Sequence, residues 1–165
     1  MKSLSPSDTV FLQAAQEFLK AGQHVEARAE LEKIASEQQK HPDVLEASWE
    51  VCAQAAEWER ALELANLLCD MNPENQIGWM YRACSLDELK RAQEAFEVLL
   101  TAAERFPKAP TIPYNLACCA CKLGRLKEAS FWLAKAIENG GRAEIKLMAL
   151  DDADLMPLLD QICAM

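Results

Sequence analysis

Three cysteines lie within four residues of one another, in the stretch YNLACCACKLG. Thiols at this density could bind a soft metal, respond to oxidation or act as nucleophiles. If the stretch is helical, Cys118 and Cys121 share one face, because residues three apart are neighbours on a helix. Zinc usually takes four ligands, however, and the stretch offers neither a second C-x2-C pair nor a histidine. The sequence therefore favours cysteine as a small apolar residue of a packed helix.

Other combinations of residues that carry chemistry are also incomplete. The two histidines, His24 and His41, lie far before the cysteines in the chain, so a Cys-His dyad is not expected. No glycine-rich phosphate loop is present, and no Ser or Cys nucleophile has a neighbouring base. Asp151, Asp152 and Asp154 lack the glycine and later glutamate of a calcium loop, and acids at a helix start explain them better. We predict a protein that is not an enzyme and has no cofactor.

Composition narrows the class of protein further. The 165 residues carry a formal net charge of -9, which would repel nucleic acid and anionic membranes, so neither is expected as a partner. Only five glycines and seven prolines interrupt a background of strong helix formers, which predicts an all-α fold. The seven cysteines are an odd number and no export signal precedes them. Reduced thiols and a cytoplasmic localisation are therefore expected.

An alanine recurs every 34 residues along most of the chain. The intervals between Ala27, Ala61, Ala95 and Ala129 (61 - 27, 95 - 61 and 129 - 95) are all 34. Apolar residues follow each alanine four and seven positions later, as on one face of an amphipathic helix. They are Leu31, Ala65, Leu99 and Leu133, then Ile34, Leu68, Ala102 and Ala136. This period is typical of a two-helix repeat.

Further residues in register with the period identify the kind of repeat. They are Trp79 with Leu86, Leu116-Ala117, Gly124 with Ala129-x3-Leu133, and Pro73 and Pro107. With them the chain resembles the tetratricopeptide repeat, whose signature is W-x2-L-G-x2-Y, then A-x3-F, then P. The resemblance implies a single domain over 1–165, a right-handed α-solenoid of about four helix-turn-helix repeats with a C-terminal helical cap. The repeats are expected at about 8–41, 42–74, 75–108 and 109–141, with capping helices at 142–165.

Several details depart from the family pattern or extend it. Trp49 and Arg82 stand where a small residue and a leucine are preferred, which predicts different packing in the second and third repeats. About three extra residues before Pro42 predict a longer second helix in the first repeat. Apolar residues after Gly140 are expected to cover the last repeat. They are Ile145, Leu147, Met148, Leu150, Leu155, Leu158, Leu159 and Ile162.

The resemblance also implies a groove, formed by the first helix of each repeat, that binds a peptide. The residues expected to line it are Leu12, Gln16, Asp43, Glu46, Glu50, Ile77, Met80, Asp87, Glu88, Ile112, Tyr114 and Lys122. This groove is apolar in places and acidic in its middle, which predicts a protein or peptide partner with apolar anchors and basic residues. A solvated acidic face without a partner is the competing interpretation.

Two alternative functions and one further partner stay open at this level. Small acidic cytoplasmic tetratricopeptide proteins resemble secretion chaperones that shield a hydrophobic segment of a client. A cluster of Cys84, Cys118 and Cys121, of which the first two are one repeat apart, could instead bind a soft metal or sense oxidation. Unfilled repeat faces also leave a homodimer open. Some tetratricopeptide domains hold the acidic C-terminus of heat-shock chaperones with a clamp of Lys, Arg and Asn in the groove. Such an acidic tail is not expected as the ligand here, because Glu46 and Glu50 stand at matching places of that clamp.

Overall fold

The structure, a computed structural model, describes residues 3–164. In that range it contains ten α-helices, two 3₁₀ helices and no strand, which confirms the all-α prediction. The α-helices are α1 (Pro6–Lys20), α2 (His24–Leu31), α3 (Pro42–Gln54), α4 (Trp58–Met71), α5 (Gln76–Glu88), α6 (Ala92–Arg105), α7 (Thr111–Lys122), α8 (Leu126–Gly140), α9 (Arg142–Leu150) and α10 (Leu159–Ala164). The 3₁₀ helices are Ser36–Gln38 and Ala153–Leu158. No helix of the described range is both long and apolar enough to cross a membrane.

The turn inside each helix pair has the same backbone geometry in all four pairs. Gly22, Ala56, Lys90 and Gly124 have φ angles of 73°, 55°, 63° and 73°, and they follow one another at the 34-residue period. After each of them, the next N–H donates to the carbonyl five residues earlier, at 2.8–2.9 Å. This is the hydrogen bond of a Schellman helix end, which needs one residue in the left-handed region. The repeat therefore continues through turns that lack the favoured glycine.

The recurring alanines lie where the paired helices leave no room for a larger side chain. Ala27, Ala61, Ala95 and Ala129 are all 0% exposed. Because protein interiors are packed as densely as organic crystals, each added methylene at such a position displaces a neighbour. The alanine period thus marks a fully buried position in each repeat.

The first repeat corrects the prediction of a longer second helix. The helix α2 ends at Leu31, and the extra residues form a turn and the 3₁₀ helix Ser36–Gln38 instead. The Gln39 side-chain amide donates to the carbonyls of Leu31 and Ile34, both at 2.9 Å. Asp8 Oδ1 accepts from the backbone N–H of Ala35 at 3.1 Å. These side chains satisfy backbone groups that a further helical turn would otherwise have to satisfy.

The chain divides into two compact units, one ending at Ser85 and the other beginning at Leu86, within α5. In unit 1, α1 packs against α2 and α3, and α3 packs against α4. In unit 2, α7 packs against α6 and α8. A single domain over 1–165 stays a prediction.

The cap of unit 2 has two parts that contact different helices. The helix α9 packs against α8 through its buried residues Ile145 and Ala149, whereas the second 3₁₀ helix packs against α7. Leu147, Met148 and Leu150 were expected to cover the last repeat, and this is wrong because all three are exposed. A short helix presents one face, the i, i+4 pair 145 and 149, so its other apolar residues lie outside the contact.

Candidate binding surfaces

Unit 1 presents three carboxylates on one face of α3. The helix begins at Pro42, with His41 as its N-cap residue, and Asp43, Glu46 and Glu50 follow at the spacing that places side chains side by side. Asp43 lies 3.8 Å from His41 Nδ1. In the described part of the chain, neither Glu46 nor Glu50 forms a salt bridge with a lysine or arginine. Partial burial raises the pKa of Glu46, and the charges of Asp43 and Glu50 raise it further.

Two aromatic residues, Trp49 of α3 and Tyr81 of α5, lie beside these carboxylates. The rings of Trp49 and Tyr81 are stacked, with centroids 3.8 Å apart and planes 3° from parallel. The Tyr81 hydroxyl donates to Glu50 Oε1 at 3.3 Å. Burial raises the pKa of Tyr81, and the neighbouring carboxylates of Glu50 and Glu46 add to this effect. We call Asp43, Glu46, Glu50 and Tyr81 the acidic face.

Trp49, which departs from the family pattern, joins α3 to α5. The Trp49 indole Nε1 donates to Ser85 Oγ at 3.0 Å, and the Ser85 hydroxyl donates to the Tyr81 carbonyl at 2.8 Å. Both Trp49 and Ser85 are buried, so each satisfies a polar group of the other. The different packing predicted for this repeat is therefore the insertion of the Trp49 side chain between α3 and α5, which we call the tryptophan wedge.

The other groove residues predicted in unit 1 lie in different surroundings. Leu12 belongs to the hydrophobic core with Ala15 and Leu19. Gln16 is exposed on α1, and Ile77 and Met80 are partly buried on α5. The structure thus brings Glu50 of the predicted set beside Tyr81, which was not in that set, and it places Leu12 in the core.

In unit 2, the predicted groove residues of α7 are covered by the chain itself. The Tyr114 hydroxyl donates to Asp152 Oδ2 at 2.8 Å, and Cys118 Sγ lies 3.5 Å from the same oxygen. Lys122 Nζ lies 2.8 Å from Asp154 Oδ2. We call Tyr114, Cys118 and Lys122 the α7 face. They form an i, i+4, i+8 stripe, and the acids that contact them come from the second 3₁₀ helix and the residue before it.

Two other predicted carboxylates and one apolar residue complete the account of unit 2. Lys122 also pairs with Asp87. The sequence predicted that the Asp87 carboxylate would be open to a basic partner, but a lysine of the chain itself already pairs with it. Although burial lowers the pKa of Lys122, its hydrogen bonds to Asp154 and Asp87 leave that pKa raised overall. Glu88 is exposed, and Ile112 is completely buried in the core.

The cysteines of α7 behave as buried apolar residues. Cys118, Cys119 and Cys121 are all buried, whereas Cys84 on α5 is exposed. Burial raises the pKa of all three α7 thiols, that of Cys119 to about 12. A three-thiol cluster that includes Cys84 stays a prediction.

Within the described residues, only one set of ligand atoms is close enough to suggest a metal, and one of its two carboxylates already pairs with a lysine. It joins the Cys118 thiol to the carboxylates of Asp152 and Asp154, within 4.8 Å of one another. Zinc would require a fourth ligand, and the Lys122 ammonium already neutralises Asp154. The arrangement therefore works as a contact between two segments of the chain.

Comparisons with known proteins agree with this architecture. No family model matches the chain. Over 101 residues, 61% of its length, the chain is 29% identical to the human protein "Tetratricopeptide repeat protein 34", and it spans 16% of that relative. Among solved structures, MamA from Desulfovibrio magneticus RS-1 superposes with a TM-score of 0.74 at 16% identity, covering 98% of this chain and 94% of that one. A thermophilic TPR protein of Thermus thermophilus superposes with a TM-score of 0.70 at 16% identity, covering 96% and 100%.

The chain has the fold of a tetratricopeptide-repeat protein. The sequence did not predict two parts of the surfaces described above. Tyr81 had no signal in the repeat pattern, although it stands beside Trp49, which did. Asp152 and Asp154 were interpreted as acids at a helix start, and Asp152 does accept from Asp154 N at 2.9 Å. Their second contacts, to Tyr114 and Lys122, are with residues about one repeat earlier in the chain and had no local signal.

The burial of the α7 thiols predicts that they are alkylated slowly. In the native protein at pH 8, we expect Cys118 and Cys119 to react with iodoacetamide about 100-fold more slowly than the exposed Cys163, because the thiolate is the reactive form and burial opposes both ionisation and access. Mass spectrometry of fragments over time measures the rates. In urea the three rates should converge. Equal native rates would show that α7 is open to solvent.

Proposed function

We propose that this protein is a non-enzymatic interaction scaffold whose unit 1 binds a basic, amphipathic segment of another protein on the acidic face. The observation that carries the proposal is the group of α3 carboxylates at 43, 46 and 50, of which Glu46 and Glu50 have no basic partner in the described part of the chain. Partial burial raises the pKa of Glu46, and the mutual repulsion of these carboxylates raises it further. A lysine or arginine supplied by a partner would relieve this repulsion.

Apolar contact is expected to supply most of the affinity. An exposed ion pair contributes only about 0.2–1 kcal/mol, so two or three of them orient a ligand and speed its arrival more than they hold it. Ile77 and Met80 are partly buried on α5, the helix that also carries Tyr81. A partner with leucine-type side chains on one face and lysine or arginine on the other would use both kinds of residue.

The test uses two variants with the same change of charge. Glu46→Lys/Glu50→Lys reverses the acidic face, and Glu59→Lys/Glu63→Lys reverses two exposed acids of α4 as the control. A fluorescein-labelled amphipathic peptide of lysine and leucine is titrated against each full-length protein by fluorescence anisotropy. The first variant should bind about tenfold or more weakly, since two lost pairs and two new repulsions exceed about 1.4 kcal/mol.

The control variant should stay within about threefold of the wild type, and circular dichroism should show the same helix content in all three proteins. Added salt should weaken wild-type binding, because the pairs are exposed. Equal losses in the two variants would mean that the peptide responds to net charge alone. That result would contradict the proposal, and so would equal binding by all three proteins.

A further inference from the structure

The cap segment, residues 151–164, returns to α7 after α9 has packed on α8. It places Asp152 against Tyr114 and Cys118, and Asp154 against Lys122, at 2.8–3.5 Å. Its apolar side is buried through Leu155, Leu158 and Ile162. Two carboxylates and three apolar side chains of the segment thus find partners in unit 2.

These contacts have the composition of a recognition site. Covering the apolar end of a repeat needs only apolar contact, whereas the α7 face offers a hydroxyl, a thiol and an ammonium group. Asp152 Oδ1 also accepts from Asp154 N at 2.9 Å, which fixes the two carboxylates of the Asp-x-Asp sequence relative to each other. Charge-assisted hydrogen bonds of this kind are directional, and they select a ligand more than they stabilise a fold.

The cap segment has little stability of its own. Its first element is a six-residue 3₁₀ helix that contains Pro157, and runs of this kind rarely exceed three or four residues. Its second element, α10, has only six residues. Met156 remains 54% exposed, so part of the apolar surface of the segment gains nothing from the contact. Its helices therefore add little to the free-energy cost of opening, which lies mainly in the burial of Leu155, Leu158 and Ile162, and a partner with leucine side chains would replace those contacts.

We propose that the α7 face is a second binding surface, which takes an acidic, leucine-bearing segment of another protein, and that residues 152–158 occupy it as a displaceable internal ligand. The partner is expected to carry the same groups as the internal segment. These are two carboxylates two residues apart, a leucine directly after the second carboxylate, and a second leucine three residues after the first. The Tyr114 hydroxyl binds the first carboxylate, and the Lys122 ammonium, which also pairs with Asp87, binds the second. The positions of Leu155 and Leu158 accept the apolar side chains. This preference is opposite in charge to that of the acidic face, so neither surface competes for the ligand of the other.

Because the cap segment is tethered to the α7 face, it competes with any external ligand for that surface. A tethered ligand acts at an effective concentration in the millimolar range, so an external peptide with the same contacts binds the closed protein weakly. Weakening the internal contacts from the side of the segment leaves the α7 face intact and removes this competition. The partner's affinity should therefore rise when the segment is altered and fall when the surface is altered.

The experiment uses the full chain and a labelled peptide of residues 151–164 in which serine replaces Cys163. Asp152→Asn/Asp154→Asn weakens the internal ligand, and we expect the peptide to bind this variant about tenfold or more tightly than the wild type. Adding Lys122→Glu to the variant should remove the gain. A peptide with asparagine at both aspartate positions serves as the control and should bind neither protein.

Alkylation of Cys118 gives a second readout that does not depend on the label. Its rate should rise about tenfold in the Asp152→Asn/Asp154→Asn variant and fall again when excess peptide is added. If that variant does not fold, Leu158→Ala weakens the segment through its apolar contact and takes its place. A folded variant that neither binds the peptide nor exposes Cys118 would overturn the proposal. Loss of folding in both variants would also overturn it, because the segment would then be a fixed part of the core.

Discussion

Replacing Leu133 by alanine is expected to lower the free energy of unfolding by about 2–5 kcal/mol. Leu133 lies on α8, four residues after the recurring Ala129, and both are 0% exposed. The substitution removes three heavy atoms from a close-packed site between α7 and α8, where the rigid helices cannot collapse to fill the space. Urea titration followed by circular dichroism measures the loss, provided that the slope of the transition is unchanged.

The matched control is Leu147→Ala on α9. Leu147 is 68% exposed, so the same change of side chain should alter the free energy of unfolding by less than about 0.5 kcal/mol. Losses of equal size at the two positions would contradict the assignment of position 133, and with it the repeat register, to the core.

Replacing Trp49 by alanine is expected to cost about 3–5 kcal/mol of unfolding free energy. The indole is 8% exposed, stacks on Tyr81 and donates to Ser85, so the truncation opens a cavity and leaves a buried hydroxyl short of one partner. Trp49→Phe keeps an aromatic ring but loses the N–H donor, and it should cost about 1–3 kcal/mol. The same urea titration measures both variants.

The phenylalanine variant also separates stability from binding. Because Tyr81 donates to Glu50, a displaced Tyr81 should weaken binding of the basic peptide to the acidic face even when the protein remains folded. A Trp49→Ala protein that is as stable as the wild type would show that α3 and α5 are not held together by this wedge.

The repeat could be predicted from the sequence because its signal lies in residue types at a fixed spacing. Alanine at 27, 61, 95 and 129 needs no knowledge of the partners that surround it, since only a small side chain fits there. Only two of the four turns could be predicted from the sequence, because glycine marks those two. At the other two, Ala56 and Lys90 adopt the same left-handed backbone without a glycine. Left-handed alanine or lysine costs about 1–2 kcal/mol, which a well-packed helix pair can offset.

The end of α2 could not be predicted because distant side chains decide it. Asp8 accepts from the N–H of Ala35, 27 residues away. Gln39 donates to the carbonyl of Leu31, the last residue of the helix, and to that of Ile34 beyond it. A count of extra residues before Pro42 cannot distinguish a longer helix from a capped turn. The difference lies in hydrogen bonds that neither the repeat pattern nor local propensity contains.

The candidate site was predicted least completely, for a related reason. The family pattern names helix positions, and it identified Glu46, Glu50 and the α7 stripe as one kind of surface. It could not show that Asp87 and Asp154 share Lys122, or that Tyr114 donates to Asp152. Those contacts depend on where the cap segment returns, which follows from the packing of α9 on α8 and not from the repeat.

Chemical-shift mapping tests the proposed function most directly. The ¹⁵N-labelled wild-type protein is titrated with the basic lysine–leucine peptide, and the backbone amide signals are followed. We expect the largest changes on residues 43–50 of α3 and 77–84 of α5, and we expect Glu46→Lys/Glu50→Lys to remove them. Changes that fall mainly on α7, or that survive the charge reversal, would contradict the acidic face as the site of binding.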